Sequence, residues 1–325
     1  MERYFWSPIS KISDAVLDRA NVVVGVLLVV AVVGFGAYYY QDRYSGQDKT
    51  LLTDRAIKNL EEAVRADPSN PGLRIAVAGA YMAAGRIKES IAQYEEALSV
   101  DSENQDALLG LGHLLYTSGK REESLAPYEQ LAQLHRSNPV RLNEKALALA
   151  FYNLGTLYLG SGRFDEAVES FQETITLDNG DAEARYWLGE AYRRKGQWDK
   201  ATVAYKDATR FVPNYKEAYQ GLVDTYTAMG DKIMAAHARG MVSYSDKDYQ
   251  SAIRQLGAVV RERPDFVDAH YGLGLAYEES GQLDNAASAF RQVLAIDPQN
   301  LWARGSLQRI GALEAKPVSQ GSRGG

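Results

Sequence analysis

Three short stretches of the chain share one pattern: 152–158 reads YNLGTLY, 186–192 reads YWLGEAY and 271–277 reads YGLGLAY. Each places a glycine in the middle of a segment whose apolar spacing otherwise favours a helix. Glycine in a helix interior normally costs about 1 kcal/mol relative to alanine. Its recurrence at the same place therefore predicts that a partner helix approaches closely at that point.

The three motifs belong to a longer repeat. Small residues stand twelve positions after the central glycines, and helix-ending residues stand twelve positions further on: Ala167, Ala201 and Ala286, then Asn179, Pro213 and Pro298. Further glycines recur at positions 85, 119, 162, 196, 230 and 281, with gaps of 34, 43, 34, 34 and 51 residues. A period of 34 residues is typical of helix–turn–helix repeats. We expect these glycines to end the first helix (A) in a left-handed conformation, and proline to end the second (B).

This combination of offsets resembles the tetratricopeptide repeat (TPR) family over about residues 50–313. The resemblance implies an all-α fold: a superhelical solenoid of antiparallel helix pairs, in which the A helices line a concave groove. A first array is predicted over 51–232, with a capping helix at 216–229, and a second over 233–313, ending in a capping helix. The gap of 51 residues equals one and a half repeats, so two A-type helices should follow each other there. Residues 314–325 are expected to form a disordered tail.

The chain before the repeats contains 21 consecutive uncharged residues, 20–40. As a helix this segment is about 30 Å long, which matches the apolar thickness of a bilayer. The sequence therefore predicts one N-terminal transmembrane helix, with a cleaved signal peptide ending near Gly34 and Gly36 as the alternative. Residues 1–19 fit a short interfacial helix. The predicted localisation is a single-pass protein of the bacterial cytoplasmic membrane with the array outside the cytoplasm, although flanking charges do not decide the orientation.

The family resemblance also implies where a partner binds. The groove-lining offsets of the A helices carry ten candidate residues: Ile75, Met82, Leu109, His113, Tyr116, Tyr152, Thr156, Tyr186, Glu190 and Arg193. The implied partner is a peptide or a helix of another protein. Members that clamp a terminal carboxylate use Lys or Arg at the fifth position, where this chain has Ile75, Leu109 and Tyr152, so that subtype is excluded.

Composition excludes several other functions. The chain has no cysteine and four histidines at scattered positions, which argues against a metal site or thiol catalysis. Its net charge of −6 argues against a nucleic-acid binder. Paired carboxylates are adjacent in sequence and more typical of solvated helix surfaces than of an acid–base pair. We therefore expect no enzymatic activity, no cofactor or metal, and no small-molecule substrate.

Three functional hypotheses follow. The first is a membrane-anchored scaffold that holds partner proteins near the bilayer, for assembly of a membrane or envelope complex. The second is a constitutive structural subunit of a larger membrane complex. The third is a chaperone-like holder of exported chains, favoured by the apolar residues at the start of the groove.

Overall fold

The structure is a computed structural model that describes residues 52–137 and 143–312. Within these ranges every regular element is an α-helix and no strand occurs, which confirms the all-α prediction. The helices are α1 (52–66), α2 (Pro71–Ala83), α3 (Ile87–Val100), α4 (Gln105–Thr117), α5 (Arg121–Ser137), α6 (Glu144–Gly160), α7 (Phe164–Leu177), α8 (Ala182–Arg194), α9 (Trp198–Phe211), α10 (Lys216–Met229), α11 (Lys232–Ser245), α12 (Tyr249–Glu262), α13 (Val267–Glu279), α14 (Leu283–Ile296) and α15 (Leu301–Arg309).

The chain divides into two compact units, Met1–Leu114 and Leu115–Gly325. In the first unit, α2 packs along α3, and a cluster of Ile57, Val77 and Tyr81 joins α1 to α2. Tyr94 of α3 lies against α4 at a point where α4 carries a glycine. The first unit is therefore built from helices that pack against their neighbours along the chain through buried apolar and aromatic side chains.

In the second unit, each helix from α5 to α15 packs against the next one along the chain. In addition α6 contacts α8, α8 contacts α10, and α11 contacts α13. Short turns between helices that pack side by side make neighbours antiparallel. Contacts confined to the nearest neighbours are those of a solenoid of antiparallel helix pairs, so the predicted fold is confirmed in this unit.

Mid-helix glycines leave room for one buried ring between two helices. Tyr205 of α9 is fully buried. A Cβ atom added at Gly189 of α8 would lie 2.7 Å from its ring, and one added at Gly221 of α10 would lie 2.5 Å away. Phe171 and Phe290 occupy the same place in their repeats. In these three repeats the partner helix therefore comes close to the glycine through an aromatic ring of the B helix, which fills the space that a side chain would occupy.

The turn after each A-type helix contains one residue in the left-handed conformation. The six periodic glycines all have positive φ, between 70° and 86°. Lys247 also has a positive φ of 62° and is the one non-glycine residue in the described ranges that does. It lies between Gly230 and Gly281, inside the 51-residue gap, at half a repeat from the first and a full repeat from the second. A-type turns therefore follow both α10 and α11.

Helix α11 has two structural roles. It packs along α10 as the second helix of one hairpin and along α12 as the first helix of the next. Its Gly240 faces Leu256 of α12 at 2.6 Å from the position of a Cβ atom, as an A-helix glycine does. The half repeat inferred from the glycine spacing is therefore present. The predicted boundary between two arrays at 232/233 does not coincide with the division between the compact units, and it stays a prediction.

The membrane prediction requires correction. Across residues 52–137 and 143–312, none of the helices is long and apolar enough to span a bilayer. The longest helices of these ranges have 17 residues, and α5, one of them, carries charges along its length, whereas a span needs about 20 apolar residues. This finding contradicts the localisation as a single-pass membrane protein. The predicted span 20–40 lies outside the described residues, as do the predicted interfacial helix 1–19 and tail 314–325.

Candidate functional site

The ten predicted groove residues all lie on alternate helices, α2, α4, α6 and α8. Eight of them are half-buried, Met82 is exposed and Glu190 is buried. In the first unit these residues are Ile75, Met82, Leu109 and His113; in the second they are Tyr116, Tyr152, Thr156, Tyr186, Glu190 and Arg193. Half-burial is expected of side chains that pack at their base and present their tips to a ligand. Binding at these positions stays a prediction.

Two of the predicted tyrosines of the second unit, Tyr116 and Tyr152, are held in place by hydrogen bonds between alternate helices. The hydroxyl of Tyr116, at the end of α4, lies 3.1 Å from Oγ1 of Thr156 on α6. The hydroxyl of Tyr152 on α6 donates to Oε1 of Glu183 on α8 over 2.6 Å. Burial, followed by the hydrogen bond to Glu183, raises the pKa of Tyr152, so its hydroxyl stays protonated and donates. These bonds fix the ring positions before any partner arrives.

An aromatic cluster continues this surface along α8. The ring of Tyr186 lies 5.0 Å from Trp187, 5.9 Å from Tyr205 and 5.4 Å from Tyr215, measured between centroids. Aromatic pairs at these separations and tilts are favourable beyond their buried area. The sequence prediction included Tyr186 but missed Glu183 and Tyr215. Glu183 occupies the second position of its repeat, a lining offset in the family pattern, so the repeat register contains the signal that identifies it.

Two further predicted residues form an ion-pair cluster at the end of α8. Glu190 accepts hydrogen bonds from Arg193 Nη2 at 2.6 Å and Arg194 Nε at 2.8 Å. Burial opposes ionisation of Glu190, but the two arginines outweigh it and lower the pKa of the carboxyl group. The carboxylate of Glu190 is thus paired with arginine side chains of the same helix. Arg194, whose side chain is 53% exposed, presents more of its cation to solvent than Arg193, at 28%.

A second concave feature lies in the second unit, away from the predicted residues. Side chains of α9, α10, α11, α13 and α15 enclose a cavity of about 330 Å³. Met234, His237 and Met241 of α11 line it together with Tyr219 of α10 and Tyr271 of α13. Within the described residues, the chain contains no group of three or more His, Asp or Glu side chains that could hold a metal ion. The tyrosine rings, methionine thioethers and imidazole that line the cavity can offer aromatic, apolar and hydrogen-bonding contacts.

Comparison with known proteins places these features in context. The tetratricopeptide repeat domain-containing protein PYG7, chloroplastic, of Arabidopsis thaliana is 28% identical over 175 residues, which are 51% of this chain and 52% of that protein. Cellulose synthase 1 operon protein C of Komagataeibacter xylinus is 26% identical over 161 residues, 48% of this chain and 11% of that protein. The chain thus spans about half the length of one relative and about a tenth of the other.

Among solved structures, YrrB, a TPR protein with an unusual peptide-binding site, is 18% identical and has a TM-score of 0.39, over 78% of this chain and 100% of YrrB. MamA AMB-1 is 19% identical with a TM-score of 0.47, over 54% of this chain and 91% of MamA.

Three sequence models of the repeat match the chain. Two described as tetratricopeptide repeat match residues 152–216 and 237–300 in one case and 53–94 in the other, and one described as TPR repeat matches 78–119. Together they cover more than half of the chain. The matched segments contain the buried rings described above and every left-handed turn described above except that at Gly230. The chain therefore belongs to the tetratricopeptide repeat family.

Proposed function

We propose that this chain is an adaptor that binds a segment of a partner protein along the surface formed by α6 and α8. TPR proteins are in general protein–protein interaction scaffolds without enzymatic activity, which supports a protein partner. The observation that carries the proposal is the fixed position of three tyrosines at that surface. Tyr152 of α6 and Tyr116 of the adjoining α4 are held by hydrogen bonds, and Tyr186 of α8 is packed among aromatic rings. Rigid aromatic side chains with a polar tip contribute large contact area at low entropic cost.

The proposed contacts differ along the surface. Near Tyr152 and Thr156, hydroxyl groups and rings favour an extended segment with apolar side chains and backbone hydrogen bonds. Near Arg193 and Arg194, one carboxylate, that of Glu190, faces two guanidinium groups, so one positive charge remains and favours an acidic residue at one end of that segment. Ile75, Met82, Leu109 and His113 form the corresponding proposed surface of the first unit.

The test is recovery of partners with a tagged chain from its native cells, using a Tyr152→Ala/Tyr186→Ala variant and a Tyr249→Ala control. Tyr249 begins α12 and is the same residue type away from α6 and α8. We expect a defined set of proteins to be recovered with the control and lost with the double variant. Helical circular dichroism and thermal melting of each variant check that the fold is kept.

Two other outcomes would replace the proposal. Partners present at constant stoichiometry that survive the double substitution would identify a constitutive subunit of a larger complex. A heterogeneous set of unfolded chains, unaffected by either substitution, would identify a chaperone-like holder. Both contradict binding at the tyrosine surface.

A further inference from the structure

At two tyrosines of this chain, a carboxylate binds the hydroxyl group and an arginine lies over the ring. The hydroxyl of Tyr158 on α6 donates to Oε1 of Glu129 over 2.9 Å, and Nη1 of Arg163 binds the same oxygen at 2.9 Å. The guanidinium carbon of Arg163 lies 4.2 Å from the centre of the Tyr158 ring. A cation over an aromatic ring is attracted by the negative face of the ring, and the carboxylate adds a charged hydrogen bond.

Tyr81 in the first unit has the same kind of neighbours. Its hydroxyl binds Glu61, and the guanidinium carbon of Arg86 lies 4.4 Å from the centre of its ring. In both repeats the arginine comes directly after the left-handed glycine that follows the helix of the tyrosine. The chain therefore supplies the cation itself at these two tyrosines.

Tyr152 has the carboxylate of this arrangement without the cation. Its hydroxyl donates to Oε1 of Glu183 over 2.6 Å, and the other donor to that oxygen is the neutral indole N–H of Trp187, at 3.5 Å. Among the described residues, no arginine or lysine lies over the rings of Tyr152, Tyr186 or Tyr215. The same part of the chain contains no ion pair to Glu183.

The surface around Glu183 is aromatic and negatively charged. The half-buried ring of Tyr186 lies between those of Trp187 and Tyr215, at 5.0 Å and 5.4 Å between centroids. Glu217, in the first turn of α10, is exposed, as is Glu183. Burial, and then negative charge with that of Glu183 foremost and that of Glu217 contributing, raises the pKa of Tyr215. Both carboxylates therefore act on the same group of rings.

The cations of the neighbouring helices are engaged elsewhere. Arg193 and Arg194 of α8 are paired with Glu190, and Arg185 of α8 is buried. Lys216 of α10 binds a carboxylate at the end of α11. Within the described part of the chain, the negative charge of this surface is therefore not neutralised by an ion pair.

The surface formed by Glu183, Tyr186, Trp187, Tyr215 and Glu217 is called here the Glu183 site. We propose that it binds an arginine side chain of the partner protein, with the guanidinium group against the exposed part of the rings and its N–H groups donating to the two carboxylates. This inference rests on the proposed function, since it names the partner side chain that the surface of α6 and α8 recognises.

The chemistry of the Glu183 site distinguishes arginine from other side chains. A guanidinium group stacks on a ring with its plane and still donates hydrogen bonds from its edge, whereas the ammonium group of lysine is compact and more strongly hydrated. An acidic side chain is repelled by the two carboxylates. A neutral side chain gains neither the charged hydrogen bonds nor the attraction between a cation and a ring.

The test uses three acetylated and amidated pentapeptides that carry arginine, citrulline or lysine between pairs of alanines. Citrulline has the shape of arginine without its charge. The peptides are titrated into the full chain and followed by the NMR signals of the tryptophan indole N–H groups, with Trp187→Phe identifying the signal of the site. We expect saturable shifts of that signal and about tenfold higher affinity for arginine than for citrulline, as one ion pair and one cation–ring contact imply. Lysine should bind severalfold more weakly than arginine.

Glu183→Gln/Glu217→Gln should lower the affinity for the arginine peptide to that for the citrulline peptide. Glutamine at position 183 keeps an oxygen that accepts from the hydroxyl of Tyr152, so the fold is maintained. The matched control is Glu262→Gln at an exposed position of α12, which should leave binding unchanged. Equal affinities for arginine and citrulline, no saturable binding, or an equal loss of affinity with the control would overturn the inference.

The partner-recovery assay separates this inference from the proposed function. The Glu183→Gln/Glu217→Gln variant should recover less of the proteins found with the unmodified chain. If those proteins are lost with Tyr152→Ala/Tyr186→Ala and fully kept with the glutamine variant, the adaptor function stands and the arginine site does not. If neither variant changes their recovery, the adaptor proposal fails and this inference fails with it.

Discussion

The hydroxyl of Tyr205 donates to Oε2 of Glu190 over 3.0 Å, in a position where both residues are buried. Tyr205 is the ring that fills the space between α8, α9 and α10, and Glu190 is the carboxylate that holds Arg193 and Arg194. The packing of the solenoid and the charge pattern of the proposed binding surface are therefore connected through one hydrogen bond.

Replacing Glu190 with glutamine should lower the free energy of unfolding by about 1–2 kcal/mol, because charge-assisted hydrogen bonds become neutral ones in a partly buried place. Tyr205→Phe should cost about 1 kcal/mol by loss of one bond. Urea unfolding followed by circular dichroism measures both. Glu166→Gln, which removes an exposed ion pair with Arg163, is the matched control and should leave stability unchanged. Equal losses of stability for Glu190→Gln and Glu166→Gln would show that burial does not strengthen the hydrogen bonds of Glu190.

Alanine at Gly221 should destabilise the chain although alanine favours helix. The Cβ atom of the alanine would lie 2.5 Å from the ring of Tyr205. Overpacking of this kind lowers the free energy of unfolding by about 1–3 kcal/mol. The control is Gly257→Ala on α12, where the nearest atom, Nη1 of Arg261, is 3.7 Å away. That substitution should stabilise the chain by about 0.5–1 kcal/mol through helix propensity alone. Thermal melting distinguishes the two, and effects of the same sign would contradict the close approach.

Glycine at position 247 should stabilise the turn between α11 and α12. Lys247 has a φ of 62°, which a side chain with a Cβ atom adopts at a cost of about 1 kcal/mol. Lys247→Gly should raise the free energy of unfolding by roughly that amount. Lys247→Ala removes the same long side chain without relieving the backbone, so its stability should stay near that of the unmodified chain. A gain with alanine as large as with glycine would locate the effect in the side chain.

Stability should decrease in acid because of His237. Burial lowers the pKa of this residue from 6.5 to about 4, against the charge of Asp268 and a hydrogen bond to its backbone, which both raise it, and the charge of Lys206 also lowers it. Between these values the unfolded chain binds a proton that the folded chain does not. The contribution of neutral His237 to the free energy of unfolding is therefore complete above pH 6.5. It decreases as the pH falls towards 4, by on the order of 3 kcal/mol.

The measurement is urea unfolding at several pH values for the unmodified chain and for His237→Phe. Carboxyl groups titrate in both proteins, so the difference between the two curves isolates the histidine. That difference should be steepest between pH 4 and 6.5. Parallel curves across this window would show that His237 is not kept neutral by the fold.

Much of the fold could be predicted from the sequence, because residues that recur at the same position of each repeat have the same structural role there. The predicted helix 216–229 is found as Lys216–Met229, and a left-handed residue stands at every periodic glycine. Lys247 was missed because a lysine gives no compositional sign of a left-handed turn. Only its spacing from Gly230 and Gly281 identifies the position, once α11 is known to be a first helix.

The site was less accessible to sequence reasoning. Repeat register places Tyr152 and Tyr186 on one surface, but it does not show that Glu183 holds Tyr152 or that Glu190 is occupied by arginines. The cavity beside α11 brings together helices that are not consecutive, since α13 and α15 reach α11 only through the stacking of whole hairpins. Which side chain fills a space between such helices depends on rotamers and distances, which a linear pattern does not contain.

The double role of α11 has a directional consequence. Because neighbouring helices are antiparallel, α6, α8 and α10 run in one direction, whereas α11, α13 and α15 run in the opposite one. The positive ends of the helix dipoles therefore lie on opposite edges of the two helix sets. An anionic group is therefore favoured at one edge beside α6, α8 and α10 and at the opposite edge beside α11, α13 and α15.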